Sequence, residues 1–396
     1  MNTLAIVDDE PTFAEFVATV ASSAGYAVTT FHSVAALRHH IANGWPSALI
    51  MDLQMPGSDG IELLRELGDL GCSSRIILLS GMDGRILDTA FRLGQAVGLS
   101  MSAKLSKPVR AQELRQILSS LPGKESEPTA EALAAAIDEN KLFLLYQPKI
   151  NLATKRMVGV EALVRWKNNT GRVILPGKFI PLAETSGLID RLTWWVVQSA
   201  FQQAADWLRR GIDLHLAINL SAGNIHTRDL PDQLADLCRT SGIHPDRITL
   251  ELTETASTQD HITLLEVLGR FRIKGFHLSI DDFGTGFSSV AQLLRLPFSE
   301  LKVDRSFVSD MDHVHEAAVI SKTLIDMAHN LGLVTVAEGV ETQASLDMLS
   351  TWGCDVVQGF LFSKPADAAS IEAMFLSPPW IGDGKIQPPA QPVQGF

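Results

Sequence analysis

Cysteine is nearly absent: three residues in 396, Cys72, Cys238 and Cys354, far apart and in no Cys-x-x-Cys spacing. That excludes a disulfide framework and a cysteine zinc site, and it fits a reducing compartment. No window approaches the ~20 apolar residues of a membrane helix, so no membrane span is expected. The opening stretch MNTLAIVDDEPTF reaches acidic residues by Asp8, which is unlike an export leader, so a cytoplasmic protein is the expectation. Basic clusters are missing as well. Lys and Arg number 33 against 45 Asp and Glu, a net charge of −12, which argues against DNA or another long nucleic acid as partner. A small anionic ligand remains compatible with this charge if metal ions neutralise it locally.

What is present is the composition of a globular protein, 46% hydrophobic and 20% charged. At this length a single core is implausible, and two domains are expected. Residues 1–121 alternate apolar runs that end in Asp or Ser (LAIVDD, SALIMDL, RIILLS) with helical stretches such as GIELLRELGDL. That rhythm reads as α/β, a doubly wound parallel sheet with helices on both faces. The polar segment 122–130 reads as a linker. From residue 131 to 376, eight strand candidates follow, most of them separated by amphipathic helices: LFLLYQPKI, RMVGVEALVRW, LHLAINLS, RITLELTE, FHLSIDD, ELKVD, LVTVAEG and DVVQG. Eight strands in about 240 residues fit a (β/α)8 TIM-type barrel. Residues 377–396, rich in Pro, Gly and Gln, are expected to be a disordered tail.

In both folds chemistry sits at the carboxyl ends of the strands. The first domain places Asp8, Asp9, Asp52, Ser80 and Lys107 there. Three carboxylates with a hydroxyl and an ammonium suit a divalent cation and a phosphoryl group. The second places Glu161, Asn219, Glu251, Asp281, Asp282, Lys302, Asp304, Glu338 and Gln358 at the ends of seven strand candidates. A single strand-end acid is commonly a turn former or a rim ion pair; one strand after another ending in an acid is not. Oxygen donors with one Asn and no Cys/His cluster suit Mg2+ or Mn2+ rather than zinc. His277 and His329 lie in apolar periodic segments and read as packing or helix-surface residues. Strand alternation puts Glu161, Leu163 and Arg165 on one face, a metal-binding acid and a phosphate-binding guanidinium pointing the same way.

The motifs IVDDE, LIMDLQMPGSDG, LLS and LSKP of residues 6–108 resemble the receiver domains of two-component response regulators. The resemblance implies phosphorylation of Asp52 by a cognate sensor histidine kinase and one Mg2+ held by Asp8 and Asp9. It also implies Ser80 and Lys107 as phosphate sensors, with a cis bond from Lys107 to Pro108. One departure is Lys104, which stands where the family usually has an aromatic switch residue.

The motifs YQPK, EALVRW, INLS, ELTET, DDFGTGFSS, LKVDRSF, EGVET and QGFLFSKP resemble the EAL-domain cyclic di-GMP phosphodiesterases. This resemblance implies two Mg2+ or Mn2+ ions, one held by Glu161, Asn219, Glu251 and Asp281. Asp281 would bridge to the second, completed by Asp282 and Glu338. Lys302, the only cation at the centre of these acids, would meet the attacking water, with Gln358 a further residue of the catalytic mouth. Gln147, Leu163, Arg165 and Asp304 would hold substrate, and Glu254 and Glu341 would anchor the loop after Asp282. Every motif position carries the residue type of active members, so hydrolysis of cyclic di-GMP to linear pGpG is expected, gated by the receiver. The alternatives are a catalytically silent cyclic di-GMP sensor and a metal-dependent barrel hydrolase of another phosphodiester. Self-association as a homo-oligomer is implied by resemblance alone.

Overall fold

The structure, a computed structural model, describes residues 2–41, 44–55, 58–81, 84–120, 128–168, 171–253, 261–284 and 290–380. The chain divides into two compact units between residues 126 and 127.

In the first unit, strands Thr3–Val7, Ala27–Phe31, Ala48–Asp52, Arg75–Ser80 and Ser100–Ser106 form one parallel sheet in the order second, first, third, fourth, fifth. The three central strands are almost wholly buried, as expected of a parallel sheet covered on both faces. Alternation splits their side chains. Leu4, Ile6 and Ile50 pack with helices Pro11–Ser23 and Ala111–Ser120 on one face. Ala5, Val7 and Leu49 pack with Val34–Ile41, Gly60–Asp69 and Gly84–Ala96 on the other. The two edge strands are half-exposed and carry Thr, Ser and Lys, which is why no apolar run announces them. The strand order reverses between Thr3–Val7 and Ala48–Asp52, so Asp8 and Asp52 lie at the switch point where such sheets place their sites.

The second unit is a closed eight-stranded barrel: Leu142–Asn151, Arg156–Lys167, His215–Leu220, Ile248–Thr253, His277–Phe283, Glu300–Val303, Val334–Ala337 and Val356–Val357. It departs from a uniform (β/α)8 barrel at its start. Leu142–Asn151 runs antiparallel to both neighbours, joined to Arg156–Lys167 by a tight turn with Lys155 at φ +55°. A connection this short cannot carry a crossover helix, so the strand must reverse. Its amino-terminal half therefore faces the mouth, and residues later in the strand lie deeper.

Helices cover the outside. In Ile189–Arg209 the residues Leu192, Val196, Ala200 and Phe201 bury one stripe at helical spacing, with Asp190 in the first turn and Arg209 in the last, each matched to the helix dipole. Packing runs as far as Trp380, which is buried against Phe362 and donates its indole N–H to the Lys155 carbonyl at 3.0 Å. Among the described residues, no helix is long and apolar enough to cross a membrane.

Candidate active site

The barrel mouth is organised around one buried ammonium. Lys302 is 1% exposed, and its Nζ lies 2.5 Å from Glu338, 2.9 Å from Glu251, 3.2 Å from Asp281 and 3.8 Å from Glu161. These acids come from different strands because parallel neighbours stand in register. Asn219 is level with Glu251, and Ala217 with Glu161. Asn219 Nδ2 donates to Glu161 at 2.8 Å. Gln358 Nε2 donates to the other Glu161 oxygen at 2.7 Å and to Gln147 Oε1 at 2.9 Å, and Gln147 Nε2 donates to the Ser363 carbonyl. Gly359 makes this arrangement possible: a Cβ there would lie 2.1 Å from the Val340 carbonyl oxygen.

Asp281 and Asp282 are adjacent, and in a regular strand they would face opposite ways. A register shift between Ile280 and Phe283 breaks the regularity, and Asp282 sits at φ +55°. This bulge turns the second carboxylate back, so that Asp281, Asp282 and Glu338 each bring an oxygen within 4.8 Å of the others. Asp282 also faces Asp304, whose carboxylate caps the helix Arg305–Val308 by accepting from the Ser306 N–H at 2.9 Å.

The charges are not balanced by the protein alone. Burial pushes Glu338 up to about 8, with Asp281 and Glu161 adding to the shift and Lys302 opposing it. Burial and the neighbouring Asp281 and Asp304 push Asp282 up to about 7. Glu161 and Asp281 are raised as well, burial being the main cause. Glu251 goes the other way. Against burial, the ammoniums of Lys149 and Lys302 hold it down to about 2. A mouth whose carboxylates are raised by burial, and further by one another, favours further positive charge, and hard oxygen donors without Cys or His fit Mg2+ or Mn2+.

Lys302 is not the only cation among these acids, which corrects the expectation from sequence. Lys149 Nζ is 2.7 Å from Glu251 and 3.2 Å from Glu300, with the side chain 7% exposed. The signal is present in YQPK, where alternation places Gln147 and Lys149 on one face; the reversed strand direction sets the depth, with Gln147 level with Glu161 and Lys149 level with Gly159, further from the mouth. Leu163 and Arg165 are half-buried on the face of Glu161, with Arg165 Nη1 donating to the Val164 carbonyl. Glu341 is exposed, 3.9 Å from Arg305, apart from the acid cluster. Glu254 and residues 285–289 lie outside the described residues. His277 and His329 are not at the mouth. His277 is half-buried at the opposite end of its strand, and His329 pairs with Asp355 at 3.0 Å.

The first unit has a smaller acidic site. Asp8 and Asp52 are buried, Asp9 is exposed, and the three bring oxygens within 4.8 Å of one another. Lys107 Nζ bonds Asp8 at 2.8 Å and Asp52 at 2.6 Å. The other oxygens of Asp8 and Asp52 accept from the N–H groups of Glu10 and Gln54, which fixes both carboxylates. Ser80 is buried at the end of the adjacent strand, and the Lys107–Pro108 bond is cis. Lys104 pairs with Asp88 at 2.5 Å and stands 5.9 Å over the Phe91 ring.

A family model of the EAL domain matches residues 130–365, and one of the response regulator receiver domain matches residues 4–119. The chain is 39% identical over 242 residues to the bifunctional diguanylate cyclase/cyclic di-GMP phosphodiesterase MucR of Pseudomonas aeruginosa, covering 61% of this chain and 35% of that protein. A cyclic di-GMP phosphodiesterase of the same species is 38% identical over 235 residues, 59% of this chain and 40% of its own length. The chain thus spans little more than a third of these curated relatives. Among solved structures, the PaMucR phosphodiesterase in complex with c-di-GMP matches with a TM-score of 0.58 at 39% identity, over 61% of this chain and 98% of that one. The EAL enzyme Bd1971, in its cAMP and cyclic-di-GMP bound form, matches with a TM-score of 0.59 at 31% identity, over 62% and 67%.

Proposed function

The chain belongs to the EAL domain family and carries a response regulator receiver domain in its first part, and on that premise we propose that it hydrolyses cyclic di-GMP to linear pGpG under control of receiver phosphorylation. The reading rests above all on one observation, the convergence of Glu161, Glu251, Asp281 and Glu338 on Lys302. Glu161, Asn219, Glu251 and Asp281 would hold one Mg2+ or Mn2+ ion, and Asp281, Asp282 and Glu338 a second. Such a pair of ions supplies Lewis acidity and a nucleophilic water at neutral pH.

The remaining work falls to the chain's own groups. Arg165 binds a phosphate, Leu163 and Gln147 hold the nucleotide against the wall, and Gln358 fixes the orientation of Glu161. Asp304 borders the substrate and orients Asp282. Lys302 offers an ammonium where negative charge develops as water attacks phosphorus. One P–O bond to a ribose 3′ oxygen breaks, a P–O bond to water forms, and the proton passes to the leaving 3′ oxygen. The test is to incubate the purified protein with cyclic di-GMP and Mg2+ and to separate the products. Linear pGpG is the expected product, lost in Glu161→Ala. Tight binding without product would favour a sensor and overturn the proposal.

Arg165→Ala is expected to raise KM for cyclic di-GMP. A hydrogen bond to a charged group is worth about 1.5–3 kcal/mol, so roughly ten- to hundredfold weaker capture should appear in steady-state kinetics, with kcat changed less.

Receiver residues 1–121, joined through 122–130 to the barrel at 131–376, would accept a phosphoryl group on Asp52 from a sensor histidine kinase, with one Mg2+ at Asp8 and Asp9. Ser80 and Lys107 would then contact the phosphoryl oxygens. Because Lys104 is held by Asp88, the change would pass through that ion pair instead of an aromatic flip. Asp52→Ala is expected to abolish any change of hydrolysis on adding a small phosphodonor; a response that persists in this variant removes Asp52 from the role.

A further inference from the structure

Below the mouth, the barrel interior carries a second buried ammonium that the proposed reaction does not use. Lys149 Nζ donates to Glu251 Oε1 at 2.7 Å and to Glu300 Oε1 at 3.2 Å, while Lys302 donates to Glu251 Oε2 at 2.9 Å. Glu251 is fully buried, and among the described residues these two ammoniums are the hydrogen-bond donors to its carboxylate. Glu300 opens its strand, level with Ser279, which is level with Glu251 on the next strand. Ser279 is fully buried and its hydroxyl has no partner among the described residues, so this layer is not a dense polar network. Lys149 is the group that ties Glu251 to the barrel floor.

We propose that Lys149 is a positioning residue: anchored by Glu300, it holds Glu251 in the orientation in which that carboxylate ligates a divalent cation. Stability does not explain such a group, since a buried ion pair replaced by well-packed apolar side chains is often neutral or stabilising. Orientation does. With one oxygen held from below and the other from above, the carboxylate plane cannot rotate. Without Lys149 it would turn wholly towards Lys302 and away from an ion. The inference rests on the metal-dependent reading of the mouth.

The test is Mn2+ binding to the full-length protein, followed by the electron paramagnetic resonance signal of the free ion and read without turnover. Binding that survives in Glu251→Ala defines the sites that do not depend on Glu251, the receiver site and the Asp281, Asp282 and Glu338 group among them. Lys149→Met with Glu300→Gln removes one charge of each sign, and it is expected to weaken barrel Mn2+ binding by about tenfold or more, the usual effect of losing a partner behind a metal ligand. The Mn2+ concentration for half-maximal hydrolysis should rise by the same factor, with KM for cyclic di-GMP at saturating Mn2+ unchanged. Glu300→Gln alone, which leaves the contact with Glu251 in place, should shift binding in the same direction by less. Mn2+ affinity unchanged in every folded variant overturns the inference. A wild type that binds no more Mn2+ than Glu251→Ala removes Glu251 from the metal ligands and overturns this inference with it.

Discussion

Lys302→Met is expected to lower both turnover and stability, and the stability loss should depend on metal. The ammonium is 1% exposed and contacts four carboxylates. Deleting it leaves buried acids uncompensated, a change that typically costs about 3–5 kcal/mol. For turnover, removing one preorganised electrostatic group costs about 10²–10³ in kcat. Thermal melting with a chelator should show a marked drop in the variant. Mn2+ should recover part of it, because the ion supplies the missing positive charge to the same acids. A variant that melts and turns over like the wild type would remove Lys302 from the centre of the site. A stability loss that Mn2+ leaves untouched would separate the lysine from the metal ligands.

Asp282→Asn is expected to split activity from stability. Asparagine tolerates the left-handed backbone at φ +55° that an alanine would strain, so the bulge is kept and only the charge is lost. If Asp282 completes the second ion, that ion's contribution of several kcal/mol goes with it. At 1.4 kcal/mol per factor of ten, the rate should fall by about 10³. Stability should hold or rise, because the lost carboxylate is crowded by Asp281 and Asp304. The measurement is kcat against Mn2+ concentration beside a denaturant melt. Full activity would exclude Asp282 as a ligand; an equal fall in activity and stability would make its role structural.

Much of the site is legible because chemistry in barrels gathers at strand ends, and an apolar run that stops at an acid marks such an end directly. Glu251 in ITLELT and Asp281 in HLSIDDF are of this kind. Lys149 is legible only as sharing a face with Gln147; its depth beneath the mouth is not, because that depends on the strand running antiparallel to its neighbours. The edge strands Ala27–Phe31 and Ser100–Ser106 were hidden for a related reason: half-exposed strands lack the apolar run that betrays a buried one.

Sequence by itself determined the two α/β units, the strands that close the barrel and the residue types at the mouth, because hydrophobic periodicity and strand-end acids are local properties. Only the tertiary structure decided which acids share a charge. The reversal of Leu142–Asn151 brings Lys149 under Glu251, and the bulge at Asp282 turns a neighbouring side chain to the same side as Asp281. The reversal comes from a short turn between consecutive strands and the bulge from the register of His277–Phe283 against Glu300–Val303, and local periodicity carries no information about strand direction or register.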